Sequence, residues 1–224
     1  MDYIKEKYNT SPVKHAFNLG ILDNDVIAAH CKVVESGDLE TLSESKCFPI
    51  FCPTTHGLSG KPMDTNFLTE NKTEWGIGTD CSGGNDDYDM LEEMRTALVL
   101  NNSVAKKDFI KPKEIFRKAS EENIKRISGD NFSGNLSKNQ KADFITISIN
   151  SPRMQPIHDV INNIVMCASS NEIKDVFIDG KCILKDSKFQ LIDEQKVFEE
   201  GLEALNKLFT KTRFDKKIDN GDFS

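Results

Sequence analysis

The chain has 224 residues, room for one large domain or for a medium domain with a small appendage. At 38% hydrophobic and 29% charged residues it has a soluble globular composition. Its net charge of −7, with no long basic run, excludes a surface built to hold nucleic-acid phosphates. No apolar stretch approaches the length of a membrane span, and the charged start (Asp2, Lys5, Glu6, Lys7) does not read as a secretory signal. The cysteines Cys31, Cys47, Cys52, Cys81, Cys167 and Cys182 form no CxxC pair. Several lie in apolar runs, so buried thiols in a reducing cytoplasm are expected rather than disulfides.

In chain order, Ser11-Pro12 predicts a helix start, with serine as cap and proline in the first turn, and the pattern Val13, Ala16, Phe17, Leu19 runs to Gly20. Val26 to Cys31 is a short apolar run, expected as a strand buried on both faces and ending on His30. A short helix is predicted over 38–45 and a second buried strand over 48–52. A turn-rich loop containing His56, Gly57 and Gly60 should follow over 53–62, then a weak helical turn over 66–71. The third unit is Glu74 to Arg95: a short strand through Trp75 and Ile77, a glycine-rich loop over 81–88, and a helix capped by Asp89 with Met90, Met94, Ala97 and Leu98 on one face. Glycines such as Gly76 and Gly78 inside a strand mark close approach by a ligand or another backbone. Strands alternating with helices predict a parallel sheet whose C-terminal tips share one rim. His30, His56 and Asp80 would then meet there. A carboxylate at such a tip can bind a metal, act as a general base, or cap the next turn, so all three roles are open to Asp80.

Further on, a helix is predicted over 113–128 and strands near Asn135-Leu136, Ala142–Ile149 and Asp175–Leu184. The last reads as a hairpin about Asp179-Gly180. An amphipathic helix should cover 158–168. A long helix over 193–211 carries a core stripe of Val197, Phe198, Leu202, Leu205 and Phe209, and a frayed tail follows Thr212. His15 and His158 read as structural or solvent-facing.

Several pieces, colinear over nearly the whole chain, resemble the C-terminal half of the amidohydrolase superfamily, in the branch that deaminates or dechlorinates N-heterocycles. They are Ala28-Ala29-His30-Cys31, Cys52-Pro53 with Gly60, Gly76-Ile77-Gly78-Thr79-Asp80, Asp89 to Arg95, Gly134-Asn135-Leu136, Lys141-Ala142-Asp143-Phe144 and Val176 to Lys181. The resemblance implies an α/β fold. Residues 1–130 would be the last part of a (β/α)8 TIM-type barrel, about strands six to eight. Residues 131–192 would be the C-terminal share of a small β-sandwich with an inserted helix, and 193–224 a terminal helix and tail. The implied reaction is hydrolysis of a C–N or C–Cl bond on a purine-, pyrimidine- or triazine-like ring by a metal-activated water, with zinc, or alternatively iron. The resemblance makes Asp80 the metal ligand and proton carrier. It puts His30 beside the metal, against the substrate or the developing charge, and gives Glu93 and Arg95 no chemistry.

The departures from that pattern are specific. No His-x-His pair is present, and the chain reads as starting after strand five, so the implied metal site is incomplete. Thr55-His56 stands where the family has Ser-Asn, and Gln140-Lys141 where it has Gly-Lys. His56 can be a ligand, a substrate contact or an exposed loop residue; the loop reading is the one residue type favours, and within the site its place is substrate binding. Three strands cut from a barrel leave two open edges, so self-association, or a complementary N-terminal half, is expected. The competing expectation is a non-catalytic remnant or split subunit. A nucleotide-binding reading fails because the loop 81–85 lacks a phosphate-cradling pattern and is followed by Asp86 and Asp87.

Overall fold

The computed structural model of the chain describes residues 2–23, 25–32, 34–105, 109–128 and 134–212. It divides into two compact units: Met1–Lys141 with Ser148–Glu172, and Ala142–Ile147 with Ile173–Ser224.

The first unit is built on three parallel strands in the order β1 (Ile27–Ala29), β2 (Phe48–Phe51), β3 (Gly76–Ile77). Ile27 pairs with Phe48, and Ile50 with Gly76. β1 is shorter than its apolar run because His30 and Cys31 turn into the left-handed region, at φ 74° and 42°. It was expected to be buried on both faces, yet Ile27 is 48% exposed. β1 lies at the sheet edge, so only one side of it has a strand neighbour.

Helices flank this sheet as the alternation predicts. Ser11 caps the helix Pro12–Asn18, its Oγ accepting from the Lys14 N–H at 3.1 Å and donating to Asp38 Oδ1 at 2.5 Å. Beneath it Val13 and Ala16 pack on Leu22, Leu42 and Cys47. A second group of buried residues includes Phe51, Leu68, Trp75 and Ile77. The Trp75 indole N–H donates to Thr69 Oγ1 at 3.0 Å, and the Lys118 ammonium sits 4.2 Å from the ring centre. Asp89 caps the helix Met90–Val104, accepting from the Leu91 and Glu92 N–H groups. The helix Val160–Cys167 packs against it and against Pro112–Arg117, and Arg95 Nη2 donates to Ala168 O at 2.7 Å.

The outer edge of β3 is occupied. The helix Pro112–Arg117 continues through a π-helical stretch, Lys118–Glu122, into Asn123–Ser128. Asn123 then sits where a neighbouring strand would lie. Its Oδ1 accepts from the Ile77 N–H at 3.2 Å and its Nδ2 donates to Ile77 O at 2.6 Å. One side-chain amide thus supplies the acceptor and donor that a paired strand would supply. A Cβ on Gly76 would collide with Asn123 Oδ1 and come within 2.8 Å of the Phe48 ring, which explains the glycine in this strand. The expectation of two open edges is therefore corrected: among the described residues, only β1 of this sheet has an edge with no strand or side-chain amide clip beside it.

The second unit is an antiparallel sheet in the order β4 (Phe144–Ile147), β5 (Ile173–Ile178), β6 (Lys181–Lys185), β7 (Lys188–Phe189). Asp179 and Gly180, at φ 50° and 75°, make the expected turn between β5 and β6. Phe144 and Phe177 stack across β4 and β5 with ring centres 4.5 Å apart. The long helix spans Glu194–Thr212, and four of its five stripe residues are not in a core: Val197, Phe198, Leu202 and Leu205 are exposed, and Phe209 is half-buried. Amphipathic spacing places apolar residues on one face and does not supply a surface to cover it. Asn135-Leu136 is not a strand: the chain bends at Gly134-Asn135, and Leu136 is irregular and exposed. The tail after Thr212 and the boundary near residue 130 lie outside the described residues. Among the described residues, no helix is long and apolar enough to cross a membrane.

Candidate active site

The C-terminal ends of β1, β2 and β3 bring His30, His56 and Asp80 together. The His30 N–H donates to Ile50 O at 2.9 Å, so β2 fixes the point where the chain leaves β1. Asp80 follows β3, where the Gly78 N–H still bonds Phe51 O at 2.8 Å. Asp80 takes φ 62°, as His30 takes 74°. Both residue types enter this region more readily than most, at a cost on the order of 1–3 kcal/mol each, and such residues gather at functional sites.

His56 is not an exposed loop residue. Pro53 opens a short helix, Pro53–Leu58, and its first turn carries the His56 ring fully out of solvent. His56 Nε2 lies 3.2 Å from His30 Nδ1, and His56 Nδ1 accepts from the Met63 N–H at 3.4 Å. On the other side of His30, Nε2 stands 3.7 Å from Asp80 Oδ2, beyond hydrogen-bond length but within ion-pair range. His30, Cys31, Lys32, Thr55 and Asp80 line a cleft of about 380 Å³.

Two residues behind this rim carry weight that the sequence did not reveal. Glu93 is fully buried; its Oε2 accepts from the Thr54 N–H at 3.0 Å and its Oε1 from Asn85 Nδ2 at 2.6 Å. Asn85 also donates to Thr79 O at 3.3 Å. This carboxylate therefore ties the helix after β2 to the loop after β3. Gly84 completes the wall: a Cβ there would press on Asp80 Oδ2 at 3.1 Å and Thr55 Oγ1 at 3.3 Å. Lys32, two residues beyond His30, adds a positive charge at the cleft and donates to Ser59 Oγ at 2.9 Å.

The charges follow from these surroundings. The Cys81 N–H bonded to Asp80 Oδ1 at 2.7 Å is the main reason its carboxyl sits below the usual range. Burial pushes Glu93 up, against the pull of its hydrogen bonds to Thr54. Burial also pushes the Cys52 thiol up to about 11. His56 is lowered from 6.5 to about 4, first by burial, then by His30 and Lys32, with Asp80 opposing. A base depressed in the folded state lends stability that is fully present above its unfolded value. That stability is lost as pH falls from about 6.5 towards about 4. The shift corresponds to about 3 kcal/mol. Urea unfolding across this range should show wild type losing about that much more stability than His56→Gln; parallel curves would contradict it.

The donor set decides what the site can hold. His30, Cys52 and His56 offer atoms within 4.8 Å of one another. His56 cannot ligate there: the Met63 N–H occupies Nδ1, so the proton of the neutral ring is on Nε2. The Cys52 thiol is buried and protonated. Asp80 Oδ2, kept clear by Gly84, fits one carboxylate ligand to a divalent cation. Among the described residues the rim does not fit a complete shell of about four donors.

Comparison with known proteins gives the family and the fold. The model described as "Amidohydrolase family" matches residues 1–183. A 5'-deoxyadenosine deaminase of Methanopyrus kandleri is 32% identical over 212 residues, 92% of this chain and 48% of that protein. A 5-methylthioadenosine/S-adenosylhomocysteine deaminase of Dictyoglomus turgidum is 29% identical over 203 residues, 90% of this chain and 47% of its own length. An adenosine deaminase from Xanthomonas campestris, crystallised with bound zinc, shares the fold with a TM-score of 0.87 at 22% identity, over 93% of this chain and 48% of that one. The chain thus spans about half the length of the curated relatives it matches. With a parallel sheet, a rim of His30 and Asp80 at its C-terminal ends, and a family match over most of its residues, the chain belongs to the amidohydrolase family.

Proposed function

We propose that this chain supplies the last strands of a metal-dependent hydrolase that removes an amino group from a purine-type ring. The observation that carries the reading is the placement of His30 Nε2 and Asp80 Oδ2 3.7 Å apart, at the tips of parallel strands and open to the cleft. The chemistry a divalent metal supplies here, zinc or alternatively iron, is activation of water at neutral pH. Asp80 would be a ligand to it through Oδ2, and the remaining ligands come from outside the described rim. Asp80 takes the proton of the attacking water and hands it to the departing amine as the C–N bond breaks and ammonia leaves. His30 donates from Nε2 to the negative charge that develops as water adds to the ring carbon. The open edge of β1 is where a segment or partner carrying the other ligands would pair. The sheet of the second unit would be one layer of a two-layer sandwich.

The competing reading, a non-catalytic chain, draws on the single metal ligand at the rim. A chimera separates the two. This chain replaces the matching 48% of the Methanopyrus kandleri 5'-deoxyadenosine deaminase, and ammonia release from 5'-deoxyadenosine is measured. Turnover is expected from the chimera. A folded, zinc-loaded chimera that releases no ammonia would contradict the catalytic reading.

A further inference from the structure

The His30 ring has one side on Asp80 and the other on His56, and the second contact has a direction. Met63 has only a hydrogen to offer, so His56 Nδ1 must be the acceptor in their 3.4 Å bond. A neutral imidazole carries one proton, which therefore sits on His56 Nε2. That nitrogen lies 3.2 Å from His30 Nδ1, so His56 donates and His30 accepts. A neutral His30 accepting at Nδ1 carries its own proton on Nε2, the nitrogen 3.7 Å from Asp80 Oδ2 and facing the cleft.

We propose that His56 is a positioning residue: through the ordered series Met63 N–H, His56, His30, it holds the His30 ring in place with the Nε2 proton presented beside Asp80. A backbone amide of a turn thus sets which nitrogen of a rim histidine can donate. The need for such a hold is visible at His30, whose side chain is 38% exposed and faces the cleft. His56 has the opposite character. It is fully buried and wedged against Phe51, with ring centres 5.2 Å apart, as an anchor should be. The bond itself stands apart from any reaction; its consequence, a donor aimed at developing negative charge, rests on the hydrolase reading above.

The test is magnetic resonance on the full chain with ¹⁵N-labelled histidine, at a pH well above the ordinary imidazole range. A ¹⁵N–¹⁵N coupling across the hydrogen bond is expected between His56 Nε2 and His30 Nδ1, with the proton attached to His56. A proton attached to His30 Nδ1, or no coupling between the two rings, would overturn the proposal. The second arm reads the hold itself. The His30 side-chain couplings should report one rotamer in wild type and in His56→Gln, which keeps a donor, and an average of rotamers in His56→Leu. A single rotamer persisting in His56→Leu would also overturn it. If His56→Leu does not fold, the wild-type coupling still decides. Neither arm needs turnover, so failure here leaves the hydrolase reading standing, and an inert chimera leaves this result standing.

Discussion

The Asp80→Asn substitution in the active chimera is expected to lower kcat for ammonia release by about 10²–10⁴-fold, the usual contribution of a positioned general base. Loss of a charged metal ligand would add to that. Stability should change by less than about 1 kcal/mol, for three structural reasons. Asparagine accepts the left-handed backbone that Asp80 adopts at φ 62° as readily as aspartate does. Its carbonyl oxygen can still take the Cys81 N–H, the 2.7 Å bond that fixes the turn. The contact given up, to His30 at 3.7 Å, is part-exposed and therefore weak. Steady-state assay with unfolding of the same variant checks both halves. Unchanged turnover with zinc still bound would remove Asp80 from the mechanism, and a large loss of stability would make it a structural turn residue instead.

The second large effect is structural. Asn123→Ala should destabilise the first unit by about 4 kcal/mol, because it strands a buried N–H and a buried C=O at about 1–3 kcal/mol each. Ile77 is 1% exposed, so solvent does not readily replace the lost amide. The denaturant midpoint should fall with little change in slope. A cycle with Gly76→Ala sharpens the argument. The methyl group collides with Asn123 Oδ1 in wild type, so Gly76→Ala should cost less in the Asn123→Ala background. The Phe48 ring, 2.8 Å from the same position, keeps the residual cost above zero. Additive effects would show that Asn123 does not clip the strand edge.

Much of this arrangement could be read from residue order. Three apolar runs, each ending on a polar residue and separated by helical patterns, predicted the parallel sheet and its shared rim. Ser11-Pro12, Asp89 and Asp179-Gly180 predicted two helix starts and a hairpin turn, because capping and turn chemistry are local. What escaped was long-range. His56 sits among Gly57, Gly60 and Pro62, which locally read as a loop, and the ring it bonds, His30, lies 26 positions earlier. Glu93 neighbours Met94 on the buried side of its helix, but a charged side chain reads as solvent-facing until its donors, Thr54 and Asn85, are known. Asn123 gave no signal at all, since an asparagine in a helix shows nothing of the strand edge it will meet. The stripe of Glu194–Thr212 is the reverse case, a clear pattern in which Val197, Phe198, Leu202 and Leu205 are nevertheless exposed.

The central proposal is that this chain brings Asp80 and His30 to a hydrolytic rim that holds, among the described residues, no whole metal shell. Zinc content and ammonia release, measured on one sample of the purified chain after dialysis against zinc-free buffer, test it most directly. The account predicts zinc well below one ion per chain and no ammonia from 5'-deoxyadenosine. One tightly held zinc per chain together with ammonia release would contradict it, and would mean that donors within this chain complete the site.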